Sequence, residues 1–222
     1  MANQQLISED GTHTISSEKY GVTYHSIYGA LNESITVFLS AGLQYQVLKG
    51  KKDISIFEMG LGTGLNALLT MIEAEKYRLN IKYHAIELHP ITVSEAASLN
   101  FLEQLDAVHL ESSFDLLHAC PPDHEMEINP YFRLFKNHGD LLTTHINGKY
   151  DVVYYDAFAP TAQEELWTPE VMKKMYDILN EGGVLVSYCA KGSFKRALKS
   201  AGFKVEALPG PPGKREMTRA IK

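Results

Sequence analysis

Three acidic residues stand where strands should give way to turns. Glu58 opens Glu58-Met59-Gly60-Leu61-Gly62-Thr63-Gly64, Glu87 closes the apolar run from Ile81, and Asp156 lies in Tyr155-Asp156-Ala157-Phe158-Ala159-Pro160. Glycines in such a turn take backbone angles that other residues avoid and let a ligand lie against the main chain. A helix beginning there points unpaired N–H groups and a partial positive charge at whatever binds. A carboxylate placed like Glu87 can accept both hydroxyls of a ribose. One placed like Asp156 can hold an amine, orient its lone pair and help remove its proton. The pattern points to a nucleotide-like cofactor above the first core strand and to chemistry at the end of the fourth.

Two cofactors compete for the glycine turn. Gly62-Thr63-Gly64-Leu65-Asn66-Ala67 fits G-x-G-x-x-A, and Glu87 follows at roughly the 20-residue spacing of a ribose-binding acid, which suits NAD and S-adenosylmethionine alike. Glu58 separates them. A carboxylate beside the turn repels a pyrophosphate but suits a ligand carrying a sulfonium and an ammonium. Asp140, after Gly139, falls in the loop expected near the adenine, where it can accept the exocyclic amino group. The expected cofactor set is Glu58, Gly60, Gly62, Gly64, Asn66, Glu87, Asp140 and Asp156, with S-adenosylmethionine as the cofactor and Asp156 as the catalytic group. No metal site is expected, because Cys120 and Cys189 are isolated.

These residues need a scaffold, and the hydrophobic pattern supplies one. Strands are expected over 54–59, 81–88, 152–155 and 184–189, with a weaker one near 107–111 and an extended stretch from Tyr131 to Lys136. Helices are expected over 65–78, 92–104, 169–179 and 193–201, with Ser193 capping the last. Residues 120–130, with three prolines, read as a loop. Asn32 can cap an earlier helix carrying Leu31, Ile35, Phe38, Leu39 and Leu43, and Asp10-Gly11 signals a turn in a polar and aromatic arm. Alternating strands and helices imply a mostly parallel sheet covered on both faces. The last strands, near 203–208 and 215–221, are joined by a linker too short for a parallel crossover, so one runs antiparallel. That is an α/β, Rossmann-like class I methyltransferase architecture of seven strands with an antiparallel C-terminal strand. Residues 1–222 are expected to form one domain, with an arm and helix over 1–50 covering the active site and a core over 51–222.

Composition narrows the partners. The 222 residues carry a net charge of −6, yet nine Lys/Arg and two acids lie from Lys191 onward. A basic C-terminal face on an acidic body suits a polyanion. No apolar run approaches the roughly 20 residues of a membrane span, and the first residues show no signal pattern. A cytoplasmic protein without a membrane partner is expected.

Phe57 to Asn66 (F-E-M-G-L-G-T-G-L-N), D-A-F-A-P at 156–160, E-L-W-T-P-E at 165–170, G-G-V-L-V at 182–186, G-F-K-V at 202–205 and G-K-R-E-M at 213–217 follow one another in one register. With D-G-T at 10–12 and H-S-I-Y-G-A-L-N-E-S at 25–34, they resemble the methyltransferase part of the MnmC/MnmD family. The resemblance implies methyl transfer from S-adenosylmethionine to the amine of 5-aminomethyl-2-thiouridine, giving 5-methylaminomethyl-2-thiouridine at the tRNA wobble position. It also implies a tRNA anticodon stem-loop as partner and an upstream enzyme supplying the aminomethyl uridine. Longer members add an FAD-dependent oxidase domain, and this chain is expected to be the transferase alone. On this reading Tyr24, Tyr28 and Phe158 stack on the uracil, Pro160 shapes the wall, and Lys191, Lys214 and Arg215 meet phosphates. An NAD-dependent oxidoreductase and a non-catalytic RNA-binding module are the competing readings.

Overall fold

The computed structural model describes residues 4–17 and 19–222, so residues 1–3 of the expected arm lie outside it. The chain opens with three short antiparallel strands, β1 (Gln4–Ile7), β2 (His13–Ser17) and β3 (Val22–Thr23). The Asp10-Gly11 turn joins the first two, with Gly11 at φ 80°. A continuous helical segment follows: α1 (Ala30–Ser34), a π-helical stretch Ile35–Leu43, and α2 (Gln44–Leu48). Asn32 does not cap it. Asp10 does, through Oδ2, which accepts from the backbone N–H of Leu31 at 3.0 Å and of Asn32 at 3.4 Å. The arm's turn thus satisfies donors that a helix start leaves unpaired.

Strands β4 (Asp53–Met59), β5 (Asn80–Glu87), β7 (Phe132–His138), β8 (Tyr150–Tyr155) and β9 (Leu179–Ser187) make the parallel centre of a second sheet. Antiparallel β6 (Glu125–Asn129) pairs with β7 at one edge. At the other, β11 (Glu216–Ile221) runs antiparallel to both β9 and β10 (Lys204–Pro209). The order is β10-β11-β9-β8-β4-β5-β7-β6. This is the expected class I arrangement with one strand more. The extra strand falls in the stretch read as a loop: Pro121, Pro122 and Pro130 flank Glu125–Asn129 rather than interrupt it. The weak strand near 107–111 is corrected to a short 3-10 turn, Val108–Leu110, and the extended stretch from Tyr131 supplies the third parallel strand instead.

The helices are α3 (Leu65–Tyr77), α4 (Val93–Ala97), α5 (Phe101–Gln104), α6 (Glu111–Ala119), α7 (Pro169–Ile178) and α8 (Gly192–Ala201). The single helix expected over 92–104 is two: Thr92 and Glu95 form a reciprocal cap at its start, and the helix breaks at Ser98. Thr168 caps α7 ahead of Pro169. The residue before α8 is Lys191, not Ser193, and it makes no side-chain cap.

Successive strand residues point to opposite faces, which splits the core in two. Ile54, Ile56, Val152, Tyr154, Val184 and Val186 pack on the side of α3 and the π-helical segment. Phe57, Val153, Tyr155 and Leu185 pack on the side of α7 and α8. Between β7 and β8 the chain runs as a loop, so the carboxyl ends of β4, β5, β7 and β8 open into one cleft. Among the described residues no helix is long and apolar enough to cross a membrane.

Candidate active site

The cleft encloses about 810 Å³, including its open mouth. Its floor is the glycine turn. Gly60, Gly62 and Gly64 have φ values of 86°, 52° and 77°, and Gly64 is the residue before α3. A Cβ on Gly62 would stand 2.9 Å from the Tyr24 ring, and one on Gly64 would stand 2.8 Å from the His118 ring. Backbone conformation and close approach together demand glycine there.

Glu87 ends β5 on the cleft wall. Its Oε2 accepts from the Gly62 N–H at 3.0 Å and its Oε1 from the His89 N–H at 2.8 Å. The carboxylate braces the turn and keeps lone pairs for a diol. Asp140 also lines the cleft, with Oδ1 accepting from the Leu142 N–H at 2.8 Å.

Asp156 follows β8 and faces the same space. The Asn66 side-chain amide, from the first turn of α3, donates to Asp156 Oδ2 at 2.9 Å and to Glu58 Oε1 at 3.0 Å. Burial, then the nearby Glu33 carboxylate, push the Asp156 carboxyl up to about 7, against the Asn66 hydrogen bond and the Lys214 ammonium. Glu58 is fully buried beneath the turn, and burial raises its carboxyl well above the ordinary range. It does not line the cleft and reaches it only through Asn66. The acid facing the ligand is thus not Glu58, the one expected: Glu87, Asp140, Asp156 and Glu165 line the cleft, and no lysine or arginine does so among the described residues.

The roof is aromatic and comes from the arm. Tyr20 and Tyr24 both contact the Phe158 ring, at centroid separations of 4.9 and 5.2 Å. Phe158 is held by its own backbone: its N–H donates to Gln163 Oε1 at 3.1 Å, and its carbonyl accepts from the Trp167 indole at 2.9 Å. Two imidazoles flank Thr63. His25 Nε2 is hydrogen-bonded to the Thr63 hydroxyl at 2.5 Å, and burial lowers both His25 and His118 to about 4.

The remaining expected residues lie outside this cleft. Tyr28 is exposed and faces Gly213, where a Cβ would stand 3.1 Å from its ring. Pro160, Lys191, Lys214 and Arg215 share a neighbouring shallow groove with Tyr188 and Cys189. Lys191 and Arg215 are exposed there. Lys214 is engaged: its ammonium pairs with Glu33 and lies 3.9 Å from the centre of the Tyr188 ring. Sequence reasoning assigned no role to Tyr20, His25, Thr63, Glu33 or Gln163. Tyr20 gave no signal beyond the aromatic content of a polar arm, and His25 and Glu33 appeared only as members of the motif at 25–34, with no role attached.

Residues 125–222 match the profile of a family described as S-adenosyl-L-methionine-dependent methyltransferase. The chain is 31% identical over 213 residues to the tRNA 5-methylaminomethyl-2-thiouridine biosynthesis bifunctional protein MnmC of Cupriavidus necator, covering 92% of this chain and 32% of that one. It is 30% identical over 226 residues to the protein of that name from Burkholderia thailandensis, covering 96% and 34%. The chain thus spans about a third of the length of these curated relatives. The crystal structure of MNMC2 from Aquifex aeolicus superposes with a TM-score of 0.79 at 26% identity, over 99% of this chain and 70% of that one. Spermidine synthase from Thermotoga maritima shares the fold alone, with a TM-score of 0.52 at 14% identity. With a glycine turn braced by Glu87 and an acidic cleft beside it, the chain has the Rossmann-like methyltransferase fold of the Aquifex aeolicus protein and is similar along nearly its whole length to about a third of MnmC.

Proposed function

We propose that this chain transfers a methyl group from S-adenosylmethionine to the amine of 5-aminomethyl-2-thiouridine at the tRNA wobble position, giving 5-methylaminomethyl-2-thiouridine. One observation carries the reading: a cleft lined by four carboxyl groups and by no lysine or arginine suits cationic ligands and repels a diphosphate. A dinucleotide would meet the Glu87 carboxylate at the glycine turn, where its diphosphate belongs.

The residues present fit the cofactor. Glu87 would accept the ribose hydroxyls and Asp140 the adenine amino group. Glycines 60, 62 and 64 would let the ligand lie on the main chain. Asn66 does not itself line the cleft; it is buried behind Asp156, which its amide holds, and its Oδ1 is without a partner. When bound, S-adenosylmethionine supplies an electrophilic methyl group on a positively charged sulfur.

The chain's own residues do the rest. A primary alkylamine is mostly protonated near pH 7, so the site must take up a proton before the nitrogen lone pair is free. Asp156, raised to about 7, is a better acceptor than an ordinary carboxylate, although the ammonium still holds its proton more tightly. Its Oδ2 is held by Asn66, which fixes the carboxyl against the floor of the cleft. Phe158, pinned from both sides, and Tyr24 form a wall on which an unstacked base can lie. Lys191 and Arg215, in the adjoining groove, would meet backbone phosphates of an anticodon stem-loop. The proposal includes a cytoplasmic setting and an upstream enzyme that delivers the aminomethyl uridine.

Mass spectrometry of tRNA nucleosides from cells lacking this protein tests the assignment. Accumulated 5-aminomethyl-2-thiouridine is expected, and an unchanged nucleoside profile would reject it. Transfer of labelled methyl groups to undermodified tRNA by the purified chain separates catalysis from mere RNA binding.

A further inference from the structure

Glu33 is a buried acid that the methyl-transfer scheme leaves unused. It sits on α1, its side chain is only 9% exposed, and its carboxylate pairs with the ammonium of Lys214 from the β10–β11 turn. That ammonium rests on the ring of Tyr188, just past β9, at 3.9 Å from its centre. The Tyr188 hydroxyl in turn donates to the carbonyl of Ala157 at 2.8 Å, the residue next to Asp156. Three separate parts of the chain therefore converge on one small assembly at the edge of the catalytic carboxylate.

We propose that the Glu33–Lys214 ion pair, seated on Tyr188, is a positioning pair that sets the protonation state of Asp156 for methyl transfer. The inference rests on the reading of Asp156 as the proton acceptor. Opposite charges at close range act on a third charge with opposite sign. Glu33 alone would hold the proton on Asp156, and Lys214 alone would drive it off; both effects bear on Asp156. Glu33 is the stronger of the two and Lys214 tempers it, so the pair adds a moderated upward push to that of burial. The other groups facing Asp156 are Glu58 on β4, Tyr83 on β5 and Tyr188. All three are strongly buried and held towards their neutral forms, which leaves the ion pair as the charged influence. A lysine free to swing out to RNA would not serve this role. Burial of Glu33 and the aromatic seat keep Lys214 in place.

The test is carbon NMR titration of Asp156 in the full chain labelled at aspartate carboxyls, with the signal identified by its loss in Asp156→Asn. Glu33→Gln should move the Asp156 midpoint down by about one pH unit, and Lys214→Met should move it up by a smaller amount. The double variant should fall between the two single variants, below the wild-type value, and Lys214→Arg should leave it nearly unmoved. The acid limb of the methyl-transfer pH profile should follow the same pattern. Calorimetric binding of S-adenosylmethionine and circular dichroism establish that each variant is folded. Midpoints that stay put in folded variants, or that move the same way in both single variants, would overturn the proposal. If the shifts occur but the wild type methylates no tRNA, the substrate reading fails while the role of the pair stands.

Discussion

The side-chain amide of Asn66 donates to Asp156 at 2.9 Å and to Glu58 at 3.0 Å, so one residue in the first turn of α3 joins the cleft carboxyl to the buried acid beneath the glycine turn. Two neighbouring carboxyl groups in a dry environment repel when both are ionised. A shared donor lowers that cost without adding a charge. Asn66→Ala should destabilise the fold by about 1–3 kcal/mol, the range for leaving a buried polar group unpaired. Urea unfolding at pH 7 checks this. A variant as stable as the parent would show that the bridge is immaterial.

Asp156→Asn should leave S-adenosylmethionine affinity nearly intact and lower turnover by roughly 100-fold to 10,000-fold, the contribution of a positioned proton acceptor. Calorimetry for the cofactor and tritium transfer for turnover separate the two effects. Unchanged turnover would remove Asp156 from the chemistry.

Glu87→Ala should weaken cofactor affinity by roughly 10-fold to 100-fold, the worth of charge-assisted hydrogen bonds in a partly buried site. Glu87 also braces the Gly62 and His89 amides, so the loss includes a loosened turn. Glu87→Gln should recover part of the affinity, because the amide oxygen can still accept. An unaltered dissociation constant in Glu87→Ala would strike out the ribose assignment.

Gly62→Ala forces a side chain onto a backbone at φ 52° and 2.9 Å from the Tyr24 ring. A cost of about 1–2 kcal/mol from the backbone alone is expected, and displacement of Tyr24 should open the roof. Loss of cofactor affinity together with a lower unfolding temperature is the expected outcome. A variant that binds as tightly as the parent would mean that the roof does not depend on this contact.

His118 predicts a pH dependence. Its folded-state value is lowered to about 4 by burial, below the ordinary 6.5. The unfolded chain therefore binds more protons between those values, and stability falls as pH drops from about 6.5 to about 4. The raised carboxyls of Asp156 and Glu58 act in the opposite sense, since their neutral forms suit the fold. Comparison with His118→Gln cancels their effect, because both proteins retain them. On going from pH 7 to pH 4.5 the urea midpoint should fall further, or rise less, in the parent than in the variant, and an identical signed change in both would refute the titration of His118.

The sequence revealed what depends on local patterning. Alternating residues such as Ile56 and Phe57, or Tyr154 and Tyr155, mark buried strands because each contributes to both faces. The glycine turn and Asp156 were legible for the same reason: backbone geometry ties their chemistry to neighbouring positions. What escaped were contacts across long separations. Nothing near Asn32 says that Asp10 will take its capping role, and nothing near Glu33 says that Lys214 will pair with it, 181 positions away. Strand β6 was missed because prolines were counted across a stretch whose middle contains none. The weak apolar run at 107–111 satisfies a 3-10 turn as well as a strand, and packing decided between them.

The bond from Asp10 to the start of α1 has a further result. It fastens the arm that carries Tyr20 and Tyr24 to the helix that carries Glu33. The aromatic cover of the cleft and the pair proposed to tune Asp156 are thereby joined in one mechanical piece. A disturbance at the tip of the opening hairpin, far from any methyl group, should be felt as a change in proton affinity at Asp156.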